Sequence, residues 1–393
     1  MIPFDEIITH LGEERSKYFN AVAPPVIQSS NFAFDSIKEF QSFLIDESKH
    51  HVYSRGNNPS TEILRKKIAA LEHCEDCIVV GSGSAAVAMA VMSCLKAGDH
   101  VVCVDKPYSW TRKLFSILLP RFGITTTYFN SLDSENIESY IQDNTKLIYL
   151  ESPNSITFEI QNLEIVSKVA KKHGIVTAID NSYSSPIYQN PVDFGIDLII
   201  HSGTKYLNGH SDIMFGAICG SSAIIKKIFD TEFMTLGAIL SPHDAILALK
   251  GLRTLKIRIK QSNKTTKKII KYLKSKSEIR KIYYPFDNQN TQYELAKKQM
   301  RGCGGLFSIE LQADTKEEVN TFLEALDKFL FAVSWGGYES LKLPTLAFYN
   351  LPNGINPPLP FQLIRLYVGL ESSEYLIENF EKAFTALHKF KMK

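Results

Sequence analysis

The 393-residue chain lacks a charge bias: 44 Lys and Arg stand against 42 Asp and Glu, a formal net charge of +2. So close a balance gives no global field to hold a polyanion or an anionic membrane, which argues against nucleic acid and lipid surfaces as partners. Long apolar runs are also missing. The longest, Ala85 to Leu95, falls well short of the ~20 residues that cross a bilayer. Asp5, Glu6, Glu13 and Glu14 break up the first residues before any signal-peptide core can form. Cysteine is sparse, six in all, and spread without the spacing of a disulfide framework. Cys74 and Cys77 form one C-x-x-C, but no second pair and no nearby His pair completes a four-ligand zinc site, so no metal is expected. Together these absences predict a soluble, cytoplasmic chain.

With 44% hydrophobic and 22% charged residues the chain has a globular composition. At roughly 150 residues per domain it should divide into two or three parts. Residues 1–60 read as an N-terminal arm, with Pro24, Pro25 and the turn signal Gly56-Asn57-Asn58-Pro59. Residues 61–245 read as an α/β domain. There CIVV (77–80), HVVCVD (100–105), ITTTYF (124–129), KLIYLE (146–151), IVTAID (175–180), DLIIHS (197–202) and IMFGAIC (213–219) alternate with helical patterns. That alternation implies crossover connections and a mostly parallel sheet buried on both faces.

Residues 246–393 read as a smaller α+β domain. It should hold a long helix over 246–280, strands at GLFSIEL, LFAVSW and IRLYVGL, and a closing amphipathic helix from Ser373 to Lys391. The Pro-rich loop 350–360 is expected to line an opening. The stretch 253–281 is rich in Lys and Arg, with Glu278 its single acid. Leu252, Leu255, Ile259, Ile269 and Leu273 recur at helical spacing, which puts the basic residues on a solvated face and argues against RNA.

Three constellations carry chemistry. Gly81-Ser82-Gly83-Ser84-Ala85-Ala86 lies between a strand and a helix, where Gly lets backbone N–H groups approach an anion and the helix N-terminus adds donors. The same residues match G-x-G-x-x-A, with Asp105 ending the next strand, so a dinucleotide site or a bare small-residue turn also fits. Lys205, in His201-Ser202-Gly203-Thr204-Lys205-Tyr206, follows the apolar strand DLII. Desolvation there would leave its amine nucleophilic, with Ser202 and Thr204 supplying hydroxyls, although most lysines are solvated. Asp180 ends IVTAID, where a carboxylate either caps a turn or holds a pyridine nitrogen protonated. A dehydrogenase has no use for a strand-end Lys paired with a strand-end Asp. A pyridoxal 5'-phosphate (PLP) enzyme needs both, with a phosphate cradle.

Other candidates are more open. Tyr108, beyond a strand, could stack on a cofactor ring or fill a core. Tyr53 and Arg55 suit phosphate but could be a solvated part of the arm. Arg365 lies in the apolar segment LIRLYVGLE, so a carboxylate should meet it, either Glu371 or one from a substrate.

APPVIQSSNFAF, YSRGNNPS, GSGSAAVA, KAGDHVV, LESPNSITFEI, AIDNSY, HSGTKYLNGHSD, GLRTL, SWGGYESL and RLYVGLE occur in this order along nearly the whole chain. In this the chain resembles the Cys/Met-metabolism family of PLP enzymes, the cystathionine lyases and synthases. The resemblance implies the fold of the aspartate-aminotransferase type (PLP-dependent transferase fold type I), with a mixed, mostly parallel seven-stranded sheet. It implies Lys205 as the cofactor-bearing lysine, Asp180 on the pyridine nitrogen and Tyr108 against the ring. Gly83, Ser84, Ser202 and Thr204 would hold the phosphate. Tyr53 and Arg55 would reach the phosphate of a neighbouring subunit, making the active unit a dimer, commonly doubled to a tetramer. Arg365 would bind the substrate carboxylate.

Within that family the segments ESPNSI and SWGGYESL look most like those of bacterial cystathionine β-lyases, through Ser155 and through Ser334-Trp335. Val333 stands where the γ-synthases and γ-lyases typically carry Glu. The resemblance therefore implies β-elimination of L-cystathionine to homocysteine, pyruvate and ammonia in methionine biosynthesis, with cysteine or cystine as further substrates. A γ-acting member, such as a methionine γ-lyase or a cystathionine γ-lyase or synthase, is the alternative: methionine γ-lyases also have Val at the position of Val333, β-lyases often have Tyr there, and Trp110 stands where a Cys two residues after the stacking Tyr is the family pattern. Lys205, Tyr108, Asp180 and Tyr53 are the expected catalytic residues; Arg365, Ser155, Ser334, Trp335 and Tyr108 are the expected substrate contacts.

Overall fold

Runs of Val, Ile and Leu bounded by Gly, Asp and Asn form a seven-stranded sheet in the computed structural model, which describes residues 2–351 and 358–392. The chain divides into two units: Met1–Asn154, Glu159–Asn208 and Asp212–Thr254 form the first, while Ser155–Phe158, Gly209–Ser211 and Leu255–Lys393 form the second.

The strands of the first unit are β1 (Asp76–Val80), β2 (His100–Val104), β3 (Thr125–Phe129), β4 (Thr145–Glu151), β5 (Val176–Asp180), β6 (Leu198–Ser202) and β7 (Gly216–Gly220). Their order is β1-β7-β6-β5-β4-β2-β3. Strands β2 to β6 pair in parallel, and β7 runs antiparallel to both β6 and β1. Val101, Val102, Ile148, Ile179, Ile199 and Ile218 are fully or almost fully buried, as a sheet covered on both faces requires. Every strand overlaps its expected run. The largest shift is in β7, which begins at Gly216 rather than Ile213: Phe215 pairs instead with Thr204 in the turn after β6, its N–H donating to Thr204 Oγ1 at 3.0 Å.

Two helices of this unit show why the local sequence starts them where it does. Asn58 accepts the Ser60 N–H at 2.9 Å and Pro59 takes the first turn of Pro59–Leu71, so the GNNP segment is a helix start as well as a turn. Ser82 accepts the Ala85 N–H at 3.1 Å and starts Gly83–Met92. That helix stops at Met92, before the apolar run ends at Leu95, because Cys94 and Leu95 close tighter turns onto Val91 and Met92.

The long helix runs Pro242–Leu273, not 246–280. Ser241 caps its start, accepting the Asp244 N–H at 3.1 Å, and Pro242 suits the first turn. Ser275 ends it by turning its hydroxyl onto the Tyr272 carbonyl at 2.8 Å. Leu252, Leu255, Ile259, Ile269 and Leu273 are buried, as their spacing requires. Arg258 departs from the solvated face expected of the basic residues: it is 6% exposed and packs on Gly209, where an added Cβ would overlap its guanidinium. Burial lowers the Arg258 pKa to about 10.

The second unit carries a five-stranded sheet: β8 (Ile279–Tyr283), β9 (Leu306–Leu311), β10 (Leu330–Phe331), β11 (Leu341–Pro344) and β12 (Leu363–Tyr367), in the order β10-β11-β12-β9-β8. Only β10 and β11 pair in parallel. Three of these strands were expected. LFAVSW yields only the two exposed residues of β10, since Ser334 takes a φ of 78°, outside the extended range. The helices Lys316–Ala325 and Ser373–Lys391 pack through Phe322 and Phe384, whose ring centroids lie 5.3 Å apart. Among the described residues no helix is long and apolar enough to cross a membrane. Residues 352–357 of the Pro-rich loop lie outside the described residues.

Candidate active site

The carboxyl ends of β5 and β6 bring Asp180, Ser202 and the turn after them into one place. Asp180 Oδ1 accepts the Ser182 N–H at 2.9 Å, and Ser182 Oγ accepts the Ser202 N–H at 2.6 Å. Ser182 thus ties the two strand ends together. Lys205 follows in the turn, its N–H donating to the Ser202 carbonyl at 3.1 Å, and it is half-buried. The Thr204 hydroxyl is engaged by the Phe215 backbone, accepting from its N–H and lying 3.3 Å from its carbonyl.

Gly83 packs the helix N-terminus onto this ensemble. An added Cβ there would stand 2.7 Å from the Ser202 Cβ and 2.9 Å from its Cα. Gly216 does the same from β7, where a Cβ would meet the Ser82 carbonyl oxygen at 2.3 Å. Two glycines therefore let a helix N-terminus, with its unsatisfied N–H groups and positive dipole end, lie directly against a strand-end serine. Such an assembly of neutral donors suits a phosphate. The half-buried Lys205 and the strand-end Asp180 suit the aldehyde and the pyridine nitrogen of PLP, so the residues present fit that cofactor.

Tyr108 lies beyond β2 and is 45% exposed rather than in a core. Its N–H donates to Glu151 Oε2 at 2.6 Å, a carboxylate at the end of β4 that registers with Asp180 on β5. Tyr53 and Arg55 are both exposed, with the Arg55 guanidinium 5.4 Å from the Tyr53 ring centroid. Trp110 is 58% exposed, under the Lys113 ammonium.

The second unit holds the remaining candidates. Arg365 on β12 donates to the Ser334 carbonyl at 3.1 Å and to the Ser155 carbonyl at 3.4 Å. Ser334 has a left-handed backbone, a strained geometry that tends to be kept where a function needs it. Trp335 is 6% exposed, and Val333 is exposed. Glu371, one of the two expected partners of Arg365, accepts from the N–H and the hydroxyl of Ser340, each at 2.9 Å.

The family of Cys/Met metabolism PLP-dependent enzymes matches residues 5–385. The chain belongs to this family. It is 34% identical to an L-alanine/L-glutamate racemase of Wolbachia pipientis wMel, over 98% of this chain and 97% of that protein. It is 33% identical to a Rhizobium johnstonii protein named "Putative cystathionine beta-lyase", over 96% and 95%. Among solved structures, cystathionine gamma-lyase from Lactobacillus plantarum complexed with L-serine superposes with a TM-score of 0.90 at 32% identity, over 98% of this chain and all of that one. The family's fold, a mixed and mostly parallel seven-stranded sheet with a smaller C-terminal part, is the one observed, and its cofactor is PLP. Members of this family act on small amino-acid substrates.

Two carboxylates bonded to residues at or beside these strand ends are not singled out by the sequence. Glu151 was read only as the end of a strand. Glu72, in LEHCEDC, carries no motif signal, and its partners lie more than a hundred residues away. Cys74 and Cys77 are free thiols, and among the described residues no group of His, Cys, Asp and Glu is arranged to hold a metal ion.

Proposed function

We propose that this protein is a carbon–sulfur lyase that eliminates the β-substituent of L-cystathionine, giving homocysteine, pyruvate and ammonia. The supporting observation is the seating of Arg365. Its guanidinium is held by the carbonyls of Ser155 and Ser334, which belong to the two segments that look most like a β-lyase. A fixed guanidinium is suited to bidentate recognition of an amino-acid carboxylate.

In this reading Arg365 holds the substrate carboxylate and Lys205 Nζ takes the proton from Cα. PLP, when bound, supplies an electron sink for the pair left on Cα. Asp180 would hold the pyridine nitrogen protonated, Gly83, Ser84 and Ser202 would supply donors to the phosphate, and Tyr108 would lie against the ring. The Thr204 hydroxyl, engaged by Phe215, would serve the phosphate only by way of the turn it shapes. Lys205 Nζ or the Tyr108 hydroxyl would deliver a proton to the departing sulfur. Tyr53 and Arg55 would serve the phosphate of a second copy of the chain. That proposal is supported by the exposed apolar residues Phe19, Val22, Ile37 and Ile45, which a dimer or tetramer could cover. The cytoplasm is the proposed location.

Two other outcomes share the first proton transfer. γ-Elimination is favoured by the likeness to a cystathionine gamma-lyase structure, and racemisation by the likeness to an amino-acid racemase. One experiment separates all three. The purified protein, loaded with PLP, is given L-cystathionine and, separately, L-alanine and L-glutamate. Pyruvate with homocysteine is the expected result. 2-Oxobutyrate with cysteine would replace β- by γ-elimination, and D-alanine or D-glutamate without thiol release would overturn the lyase reading.

A further inference from the structure

Glu72 caps the C-terminus of the helix Pro59–Leu71 and is fully buried. Its Oε1 accepts from His201 Nε2 at 2.5 Å and from Asn181 Nδ2 at 2.8 Å, and Asn190 Nδ2 lies 3.4 Å from its Oε2. A carboxylate can only accept, so His201 places its Nε2–H on Glu72. An ionised group away from water is very unfavourable unless donors converge on it, and here three side chains do.

The two nearest donors sit next to the proposed cofactor contacts. His201 precedes Ser202 on β6, and Asn181 follows Asp180 at the end of β5. Neighbouring residues along a strand point to opposite faces. Glu72 therefore grips both strand ends from the face opposite to Asp180 and Ser202. The Asn181 N–H donates to the Ile200 carbonyl at 2.9 Å, joining the same two strands through the backbone. Gln189 carries the network on to the residue that follows β4: its Nε2 donates to Asn181 Oδ1 at 3.1 Å and to the Ser152 carbonyl at 3.0 Å.

We infer that Glu72 is a positioning residue that, through His201 and Asn181, sets the spacing of Asp180 from Ser202 and so the grip on PLP. This rests on the reading of Asp180 and Ser202 as cofactor contacts. Glu72 touches neither cofactor nor substrate. A purely structural role, capping its helix, predicts a loss of stability only. A positioning role predicts that the surroundings of the cofactor change as well.

The test uses Glu72→Gln in the full chain, with PLP affinity and the visible absorption band of the bound cofactor as readouts and thermal unfolding of the cofactor-free protein as the control for folding. The amide keeps the shape of Glu72 but offers an NH2 group where a donor already stands. The PLP dissociation constant should rise about tenfold or more, as expected when a buried charge-assisted hydrogen bond is lost, and the visible band should move. His201→Gln, which leaves Glu72 a neutral donor, should shift both in the same direction by less. A folded Glu72→Gln protein with parental affinity and band overturns the inference. Should that variant not fold, parental values in His201→Gln overturn it instead. Asp180→Asn tells the two readings apart. If that variant itself leaves affinity and band unchanged, the assignment of Asp180 fails and takes the inference with it. If Asp180→Asn changes them and Glu72→Gln does not, only the role of Glu72 is lost.

Discussion

Gly83 and Ser202 meet with no room for a side chain between them: a Cβ on Gly83 would lie 2.7 Å from the Ser202 Cβ and 2.8 Å from its hydroxyl. Gly83→Ala must therefore push the helix away from β6. The expected loss of stability is about 1–3 kcal/mol, the usual effect of overpacking, and PLP affinity should fall with it. Equilibrium unfolding and PLP titration check this; a variant with parental values in both would show that the helix end is not set by this contact.

Removal of Lys205 takes away the group proposed to move the Cα proton. Lys205→Ala should lower turnover by ~10²–10⁴ or more, the range for loss of a general base, while still folding. Thiol release from L-cystathionine measures it. Turnover at the parental rate would remove Lys205 from the mechanism.

Arg365→Lys keeps the positive charge but loses the planar fork that the Ser155 and Ser334 carbonyls hold. The effect should fall on the substrate rather than on the cofactor: KM rises by about tenfold or more, and the PLP dissociation constant is unchanged. Loss of PLP affinity in this variant would contradict the proposed role.

Glu62 couples the first unit to acid. Burial alone would raise its carboxyl, but hydrogen bonds and charge from His51 and Lys66 outweigh that and hold it at about 2, against an ordinary 4.5. Its contribution to stability is therefore complete above pH 4.5 and is lost as pH falls from 4.5 toward 2. Glu62→Gln should be less stable than the parent at neutral pH by of order 1 kcal/mol, a figure reduced for its partial exposure. Urea midpoints measured across this window should converge for the two proteins at low pH; parallel curves would exclude the linkage.

Much of the first unit was readable because strands buried on both faces appear as unbroken apolar runs. Lys205 and Asp180 stood out for the same reason, as polar groups closing such runs. The second unit was less readable. Strand β11 carries Lys342 and Pro344, which argue against a strand, yet Lys342 is buried because its ammonium donates to the Leu323 and Leu326 carbonyls. Strand β8 breaks its alternation with a bulge between Ile279 and Lys281. The long helix was misplaced because Ser241 and Ser275 act through their hydroxyls, which an apolar period does not register. Arg258 looked like one more basic residue on a wet face, since the space it fills is made by Gly209, far off in sequence. Glu72 was invisible because only folding brings it to His201, 129 residues away.

The parallel order of β2 to β6 places the segments after Val104, Glu151, Asp180 and Ser202 along a single rim, and β7 returns Gly216 to the same rim beside Ser202. Chemistry and scaffold are thereby separable. Loops along the rim can be exchanged one at a time while the strand interiors stay as they are. Proteins named for racemisation and for cystathionine cleavage, each about one-third identical to this chain along nearly its whole length, accord with such a division of labour, in which one frame serves more than one reaction.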